Sequence, residues 1–380
     1  MKTYPLFRVH VHTEQALANI NEVFASGFIN EGTQVTQLTN ELRAYLNADN
    51  LVLTNSCTSA LTLALRLAGV QPGDEVISTP MTCVATNTPI VALGASIVWA
   101  DVDPNHGMID PQDVLRKITG RTKAVMAVAW AGTPPQLQEL KEVCTKHGVK
   151  LILDAAHAFD AAYFREPIHK WADFTCYSFQ AIKHFTTGDG GALVCFTDAD
   201  HARAKALKWF GLDRDHAKDD KGNWKGQQWD VDIQEAGFKF NMNNVSAAIG
   251  LSQMKHIDRI VSLHIVNAYL YDDLFEGCTT VVPAARPAGA DSSFWVYTMK
   301  VDPKRSRLHR DDLLKALNAE GIMAGVVHVP NDDYTAFQAF RSDLPGLREF
   351  AANQFSLPCG WWLDEDDVSH IVDRVKELTR

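Results

Sequence analysis

Cysteine is scarce in this sequence, and its pattern excludes a disulfide scaffold. The 380 residues contain seven cysteines, an odd number, and no two of them form a C-x-x-C pair. Secreted domains that depend on disulfides carry even sets of cysteines, whereas unpaired thiols are typical of a reducing compartment. The cysteine pattern therefore indicates reduced thiols and a cytoplasmic protein.

Long apolar runs and an apolar signal core are also missing. The first eight residues are MKTYPLFR, and the apolar segment at residues 90–100 is short and interrupted. A helix that spans a bilayer needs about 20 consecutive apolar residues, and a signal peptide needs an apolar core near its start. We therefore expect neither a signal peptide nor a membrane span.

Positive charge is in deficit. The chain has 36 Lys and Arg against 46 Asp and Glu, a formal net charge of -10. A negative protein repels nucleic-acid phosphates and anionic lipids, which argues against nucleic acid and membrane as partners. A local pocket for a single phosphate remains compatible with this charge.

The remaining composition is that of a globular protein, with 46% hydrophobic and 22% charged residues. A chain of this length exceeds the size at which a single hydrophobic core stops growing. We predict a large domain of residues 1–255 and a small C-terminal domain of residues 256–380. The small domain mixes helices with strands, one of them at residues 294–297.

Short β-branched and apolar runs alternate with helical patterns along the large domain. Such alternation predicts parallel strands joined by crossover helices, in an α/β fold with a mostly parallel central sheet and helices on both faces. Continuous apolar strands are expected where both faces are covered. The predicted strands are residues 51–53, 75–77, 96–100, 124–128, 150–153, 174–177 and 192–195.

The composition changes at residues 216–232. Turn-forming and charged residues are frequent there, and Trp224 and Trp229 lie among them. This pattern predicts a long excursion that could form a flap. Tryptophan in such a segment more often packs than recognises a ligand.

Asp154 directly follows the predicted strand at residues 150–153. In open parallel sheets, ligands bind beyond the carboxyl ends of the strands, so this carboxylate could meet a ligand. Alternatively, it could cap the helix that follows. Asp154 alone does not decide between the two.

Residues 55–59, with the sequence NSCTS, lie between a strand and a helix that we expect to begin near Ser59. Backbone N–H groups at a helix N-terminus attract anions, so Thr58 and Ser59 could bind a phosphate; hydroxyl residues there also serve as plain caps. Neither a Walker A nor a G-x-G-x-x-G pattern occurs in this loop. The loop would therefore hold one phosphate group.

Lys183 follows a strand that ends near Ser178 and precedes Gly188, Gly190 and Gly191. A lone lysine is usually a solvated charge, but the glycines allow close approach of a ligand. Pyridoxal phosphate enzymes need a carboxylate to keep the pyridine nitrogen protonated and a lysine amine to form the Schiff base. Asp154 and Lys183 supply this pair of groups, and the lysine could also act as the base.

Ordered motifs extend over nearly the whole chain, at residues 55–65, 72–77, 101–103, 154–158, 178–191 and 237–251. Together they resemble the DegT/DnrJ/EryC1/StrS family of sugar aminotransferases, which are fold type I pyridoxal phosphate enzymes. The resemblance implies the fold of aspartate aminotransferase and a pyridoxal 5'-phosphate cofactor. It implies no metal.

The resemblance also assigns roles to single residues. It implies that Lys183 is the Schiff-base lysine and that Asp154 pairs with the pyridine nitrogen. The phosphate would be held by Ser178 and the backbone of Thr58 and Ser59. His157 matches a position that contacts the ring hydroxyl, although a lone histidine there could also be a core or capping residue. Lys239 matches a side chain that reaches the neighbouring subunit's phosphate site, which implies a homodimer with shared active sites.

Two positions bear on how closely the chain follows the family pattern. Many relatives have an aromatic residue at Cys83 that stacks on the cofactor, so either Cys83 makes a softer contact or another residue covers that face. Sugar dehydratases of the family carry histidine at the position of Lys183. In this chain the corresponding position, five residues after Ser178, is Lys183, and His184 comes one residue later. This register favours transamination.

The resemblance implies transfer of an amino group from an amino acid, L-glutamate by resemblance, to a nucleotide-linked keto sugar. The product would serve amino-sugar and polysaccharide biosynthesis, including lipopolysaccharide O-antigen. Residues 28–32 and 328–334 are candidates for acceptor contacts. Alternatives are a dehydratase of the same family, a non-catalytic cofactor-binding regulator, and a metal protein built on His10 and His12, which offer only two ligands.

Overall fold

The computed structural model describes residues 2–213 and 232–380. The predicted flap, including Trp224 and Trp229, lies outside the described residues apart from Asp232. In chain order, the helices are α1 (Thr13–Ser26), α2 (Thr33–Leu46), α3 (Cys57–Leu67), α4 (Val84–Ala92), α5 (Pro111–Lys117), α6 (Leu137–His147), α7 (Asp198–Leu207), α8 (Asn244–Gln253), α9 (Ile257–Leu274), α10 (Arg310–Ala319), α11 (Pro345–Asn353) and α12 (Glu365–Thr379).

The strands are short, and most residues of the first nine strands are buried. In chain order, they are β1 (Leu51–Thr54), β2 (Glu75–Ser78), β3 (Ser96–Trp99), β4 (Thr122–Val128), β5 (Lys150–Asp154), β6 (Ala162–Tyr163), β7 (Glu166–Pro167), β8 (Phe174–Ser178), β9 (Gly191–Cys195), β10 (Val281–Pro283), β11 (Ala290–Asp291), β12 (Tyr297–Val301) and β13 (Gln354–Leu357).

A central sheet of seven strands organises the molecule, in the order β1-β9-β8-β5-β4-β2-β3. The pairs β3–β2, β2–β4, β4–β5 and β5–β8 are parallel, while β9 is antiparallel to both β8 and β1. All seven predicted strands belong to this sheet. The predicted α/β fold with a mostly parallel sheet is confirmed.

The sheet is covered on both faces, as its continuous apolar strands predict. Successive residues of a strand point to opposite faces. In β5, Leu151 and Leu153 belong to one hydrophobic cluster with α2 and α6, and Ile152 belongs to another cluster with α3. The carboxyl ends of the parallel strands therefore form an edge between two helical layers.

The C-terminal part has its own small antiparallel sheet, β10-β12-β13, which shares a third hydrophobic cluster with α9, α10 and α12. Helix α9 begins at Ile257, close to the predicted division after residue 255, which stays a prediction. Tyr4 pairs with Ile322 and packs in the same cluster, so the first residues of the chain contact this part.

One strand was predicted in the wrong place. The sequence indicated a strand at residues 294–297, but β12 begins only at Tyr297. Residues 293–296, just before β12, are bonded to the main chain of the loop that follows β4. Ser293 N–H donates to Gly132 O (3.0 Å), and Trp295 N–H donates to Ala131 O (2.8 Å). Phe294 also has a positive φ of 48°, which is incompatible with a regular strand.

Within residues 2–213 and 232–380, no helix is both long enough and apolar enough to cross a membrane.

Candidate active site

Asp154 is the last residue of β5, the middle strand of the sheet, and lies where the carboxyl ends of the parallel strands meet. Its backbone pairs with Val128 in β4 and with Cys176 in β8, and only 4% of the residue is exposed. One carboxylate oxygen accepts from the Thr86 hydroxyl at 2.7 Å, and the other accepts from Ala156 N–H at 3.0 Å. Burial raises the pKa of this carboxyl, while the two donated hydrogen bonds oppose the rise.

The N-terminus of α3 lies beside this carboxylate, since Cys57 Sγ is 4.0 Å from Asp154 Oδ1. The helix begins at Cys57, earlier than the predicted start near Ser59, because the Ser56 side chain accepts from Ser59 N–H at 3.1 Å. The Ser59 N–H is therefore used by the cap. Its hydroxyl donates to Asn55 Oδ1 at 2.6 Å, and Thr58 lies one residue inside the helix start.

Ser178 ends β8 directly opposite Gly191 in β9. A Cβ atom on Gly191 would come within 2.6 Å of Cys57 N and of Ser56 C, so the absence of a side chain there lets β9 approach the start of α3. The start of α3 therefore lies beside Gly191, across from Ser178, whose hydroxyl accepts from Gln180 N–H at 3.3 Å. Such a helix start is suited to a phosphate monoester.

Lys183 lies in the loop between β8 and β9. Burial lowers the pKa of its amine to about 7, although Asp154 and the thiols of Cys83 and Cys57 act in the opposite direction. The amine is 3.3 Å from the ring centroid of Trp295. An amine with this pKa is in part neutral near pH 7, which suits a nucleophile and a base.

Trp295 was not identified as a site residue from the sequence, which indicated only a strand around it. Its indole N–H donates to Ile182 O at 2.8 Å, directly before Lys183. Its ring stacks on His157, with ring centroids 4.0 Å apart and an interplanar angle of 20°, and on Phe7 at 4.7 Å. A tryptophan within the predicted strand at residues 294–297 gave no signal that would distinguish a site residue from ordinary core packing.

His157 is 3% exposed and follows Asp154 by three residues. Its Nε2 is 3.4 Å from Nε2 of His328, and its Nδ1 is buried without a hydrogen-bond partner among the described residues. Burial lowers the pKa of His157 well below its ordinary value, and the nearby amine of Lys183 adds to this effect. The ring is therefore neutral and has one nitrogen available to a ligand.

Cys83 is the N-cap residue of α4 and is partly exposed, close enough to Lys183 to influence the pKa of the amine. The sequence left open whether Cys83 or another residue covers the cofactor face. Trp295 supplies an aromatic ring at the Lys183 amine, whereas Cys83 itself has no ring to stack.

Lys239 is exposed, and its backbone contacts the loop at residues 55–59, because Asn55 Nδ2 donates to Lys239 O at 3.4 Å. Its amine donates to Asn241 Oδ1 and lies 3.9 Å from the ring centroid of Trp209. Asn241 Nδ2 in turn donates to Asn30 Oδ1 at 3.1 Å, which brings residues 28–32 to the same place.

Residues 328–334 differ in part from the expectation that they contact an acceptor. Asn331 and Asp332 are 1% and 0% exposed and are bonded to other protein groups, so they cannot reach a substrate directly. His328 lies against His157, and Tyr334 is exposed. Of the two histidines considered as metal ligands, His10 has its Nδ1 3.1 Å from Gln253 Oε1, and His12 stacks on His256 with ring centroids 4.7 Å apart.

These residues fit pyridoxal phosphate on three independent observations. Asp154 is a buried carboxylate that would gain a cationic partner from a pyridinium N–H group. His157 has a buried ring nitrogen without a partner among the described residues. Gly191 provides a cradle at the start of α3 that a Cβ atom would fill.

Comparison with known proteins gives a consistent result. The DegT/DnrJ/EryC1/StrS aminotransferase family model matches residues 11–376. The UDP-4-amino-4-deoxy-L-arabinose–oxoglutarate aminotransferase of Shewanella sediminis is 31% identical over 375 residues, 96% of this chain and 95% of that protein.

Among solved structures, sugar aminotransferase CalS13 from Micromonospora echinospora has a TM-score of 0.90 and 32% identity, and the match covers 98% of this chain and 99% of that one. Spr1654 from Streptococcus pneumoniae, solved in its PLP form, has a TM-score of 0.89 and 26% identity, with coverage of 99% and 98%. The resemblance inferred from the sequence motifs is confirmed, and so is the cofactor. The chain therefore belongs to the DegT/DnrJ/EryC1/StrS family of pyridoxal-phosphate-dependent aminotransferases.

Proposed function

We propose that the protein transfers an amino group from L-glutamate to a keto sugar linked to a nucleotide, and that the product serves amino-sugar and polysaccharide biosynthesis such as that of lipopolysaccharide O-antigen. The observation that carries this proposal is the meeting of Lys183, Asp154 and the start of α3 at one edge of the sheet. The Shewanella relative is named for a UDP-linked amino sugar and for oxoglutarate, the keto acid that glutamate leaves behind.

When bound, pyridoxal phosphate supplies an aldehyde that captures amino groups and a ring that accepts electrons from a carbon losing its proton. The residues around it bind, charge and orient that ring. The Thr58 backbone N–H and the Ser178 hydroxyl bind the phosphate. Ser59 contributes mainly through its hydroxyl and the cap at Asn55 and Ser56, because the cap occupies its N–H.

Asp154 holds a proton on the ring nitrogen by pairing its ionised carboxylate with the N–H group. His157 would offer Nδ1, which has no hydrogen-bond partner in the described part of the chain, to the ring hydroxyl. Lys183 would hold the cofactor through Nζ, and as a free amine it would carry a proton at Nζ between the substrate carbon and the cofactor carbon. Its lowered pKa favours both steps, because a neutral amine is needed for each.

Transamination is favoured over the family's dehydratase chemistry by the state of His184. That imidazole is buried, its Nε2 is 3.0 Å from Ser293 O, and its ring packs on His264 at 4.5 Å. It is therefore occupied in packing, and Lys183 is left as the reactive side chain of this loop.

We further propose a homodimer with shared active sites, in which Lys239 supplies positive charge to a partner's phosphate site. The exposure of Lys239 and its backbone contact with the Asn55 loop support this arrangement.

Residues 28–32 and the exposed side chain of Tyr334 are proposed as acceptor contacts. A cytoplasmic location is supported by the seven free cysteines. The division into residues 1–255 and 256–380 also remains a proposal.

The proposed reaction can be tested by product analysis. We expect the holoenzyme, incubated with L-glutamate and a panel of nucleotide keto sugars, to convert one of them to its amino form with one 2-oxoglutarate per product. Mass spectrometry of the sugar and a coupled assay of the keto acid provide the measurement. A deoxy product without a matching amount of keto acid would show a dehydratase, and no half-reaction with any amino donor would show a regulator.

Lys183→Ala should abolish turnover, because no other described amine lies at the site to anchor the cofactor and move the proton. We expect a loss of at least about 10²–10⁴-fold, the usual contribution of a positioned acid–base group. Borohydride reduction should attach the cofactor to Lys183 in the wild type, as located by peptide mass spectrometry. Lys170→Ala, at an exposed lysine paired with Glu166, is the matched control. Labelling of a different lysine would refute the assignment.

Asp154→Asn should still bind the cofactor but should slow proton removal, because an amide cannot stabilise the protonated ring nitrogen. We expect a loss of roughly 10²–10³-fold in the glutamate half-reaction, as for other single electrostatic contacts. Stopped-flow absorbance measures this rate. Asp311→Asn, on the exposed face of α10, should react at the wild-type rate. A half-reaction of normal speed in Asp154→Asn would contradict the proposed role.

Gly191→Ala should weaken cofactor binding by about tenfold or more, because its Cβ would push β9 away from the start of α3. Equilibrium titration of the cofactor-free protein with pyridoxal phosphate measures the affinity. Gly120→Ala is the control, since a Cβ atom there meets nothing within 4 Å. Equal affinities of the two variants would show that this close approach does not shape the phosphate site.

A further inference from the structure

A buried network of polar side chains joins the C-terminal part of the chain to Asp154. Asn331 Nδ2 donates to Thr82 O at 2.8 Å, and Asn331 N–H donates to Pro80 O at 2.8 Å. Asn87 Nδ2 donates to Asn331 Oδ1 at 2.8 Å. Asn331 therefore holds the turn between β2 and α4, which contains Thr82.

From this turn the network continues to the carboxylate. Thr82 precedes the N-cap of α4 and Thr86 lies in the first turn of that helix, with their hydroxyl oxygens 2.8 Å from each other. The single hydroxyl proton of Thr86 is donated to Asp154 Oδ2 at 2.7 Å. Thr86 must therefore accept from Thr82, which sets one direction for the chain of hydrogen bonds: Thr82 to Thr86 to Asp154.

Burying the polar side chains of this network costs free energy, so a compensating role is expected. Asn87, Asn331, Thr82 and Thr86 are each at most 1% exposed. Buried polar groups are expensive unless every partner is in place, and apolar residues would pack this interface without that requirement. The network ends on a charged group, and a hydrogen bond to an ionised acceptor is among the stronger ones.

We propose that Thr86 and Asn331 are positioning residues for the reaction, which keep Asp154 ionised and aimed at the ring nitrogen of the cofactor. This inference rests on the proposed role of Asp154. Thr86 acts on the carboxylate directly, because its hydroxyl stabilises the ionised form. Asn331 acts through the turn that presents Thr82.

The anchoring of Asn331 adds a link to the C-terminal part. The next residue, Asp332, is completely buried and pairs with Arg348 in α11, and its backbone oxygen accepts from Arg341 Nε at 2.8 Å. The position of Asn331 is therefore set by the C-terminal part, and the hydrogen bonds transmit that position to the edge of the central sheet.

The test compares two ligands of the cofactor-free full-length protein: pyridoxal phosphate and its analogue with carbon in place of the ring nitrogen. Both can bind Lys183 and the phosphate site, but only the first can pair with Asp154. The ratio of their dissociation constants therefore reports the contact with the ring nitrogen. A general loss of packing would weaken both ligands equally and leave the ratio unchanged.

Thr86→Val should lower the preference for pyridoxal phosphate by about tenfold, the effect of one hydrogen bond to a charged group. Thr86→Ser keeps the hydroxyl and should keep the preference. Asn331→Leu should also lower the preference for pyridoxal phosphate, by a smaller factor. Thr175→Val is the matched control, because Thr175 is also fully buried, and its hydroxyl has no hydrogen-bond partner among the described residues.

Asp154→Asn separates failure of this inference from failure of the proposed function. If Asp154→Asn removes the preference while Thr86→Val keeps it, the network does not act on the carboxylate and the inference is wrong. If Asp154→Asn also keeps the preference, Asp154 is not the partner of the ring nitrogen, and both ideas fail. Should Thr86→Val not fold, Thr82→Val removes the donor to Thr86 and should lower the preference in its place.

Discussion

The burial of one carboxylate at the centre of the sheet edge is the constraint around which this site is built. Asp154 is placed between β4 and β8 by backbone pairing, where water cannot solvate its charge. A buried carboxylate must obtain donors from the protein or lose its charge. Thr86 and Ala156 supply two donors, the start of α3 adds the positive end of a helix dipole nearby, and a protonated pyridine nitrogen would supply the missing cation.

The second organising feature is the segment at residues 292–296, between β11 and β12, which contacts the loop that carries Lys183. Ser293 and Trp295 are bonded to the main chain of the β4 loop, and His184 and His264 each contact a carbonyl oxygen of this segment. Trp295 in turn binds the backbone before Lys183 and stacks on His157. The lysine and the histidine are therefore held by one aromatic ring from a distant part of the chain.

Much of this architecture could be predicted because it depends on local patterns. The apolar runs located all seven strands of the central sheet, since strands buried on both faces leave a continuous apolar signature. The spacing of Asp154, Ser178 and Lys183 relative to those strands placed them near one edge, since parallel strands end on the same side. The prediction failed at residues 294–297, where aromatic residues with strand propensity are held in an irregular segment by contacts with Ala131 and Gly132.

By itself, the sequence determined the class of fold, the family, and the positions of the lysine and the carboxylate, because each depends on short stretches whose physical preferences do not need the rest of the chain. Only the tertiary structure decided that Trp295 lies against Lys183, that Asn331 and Thr86 are connected to Asp154, and that Nδ1 of His157 is buried without a partner within residues 2–213 and 232–380. These contacts join residues up to 249 positions apart. No local pattern encodes such contacts, because a side chain's hydrogen-bond partners and desolvation are set by whatever the complete fold brings beside it.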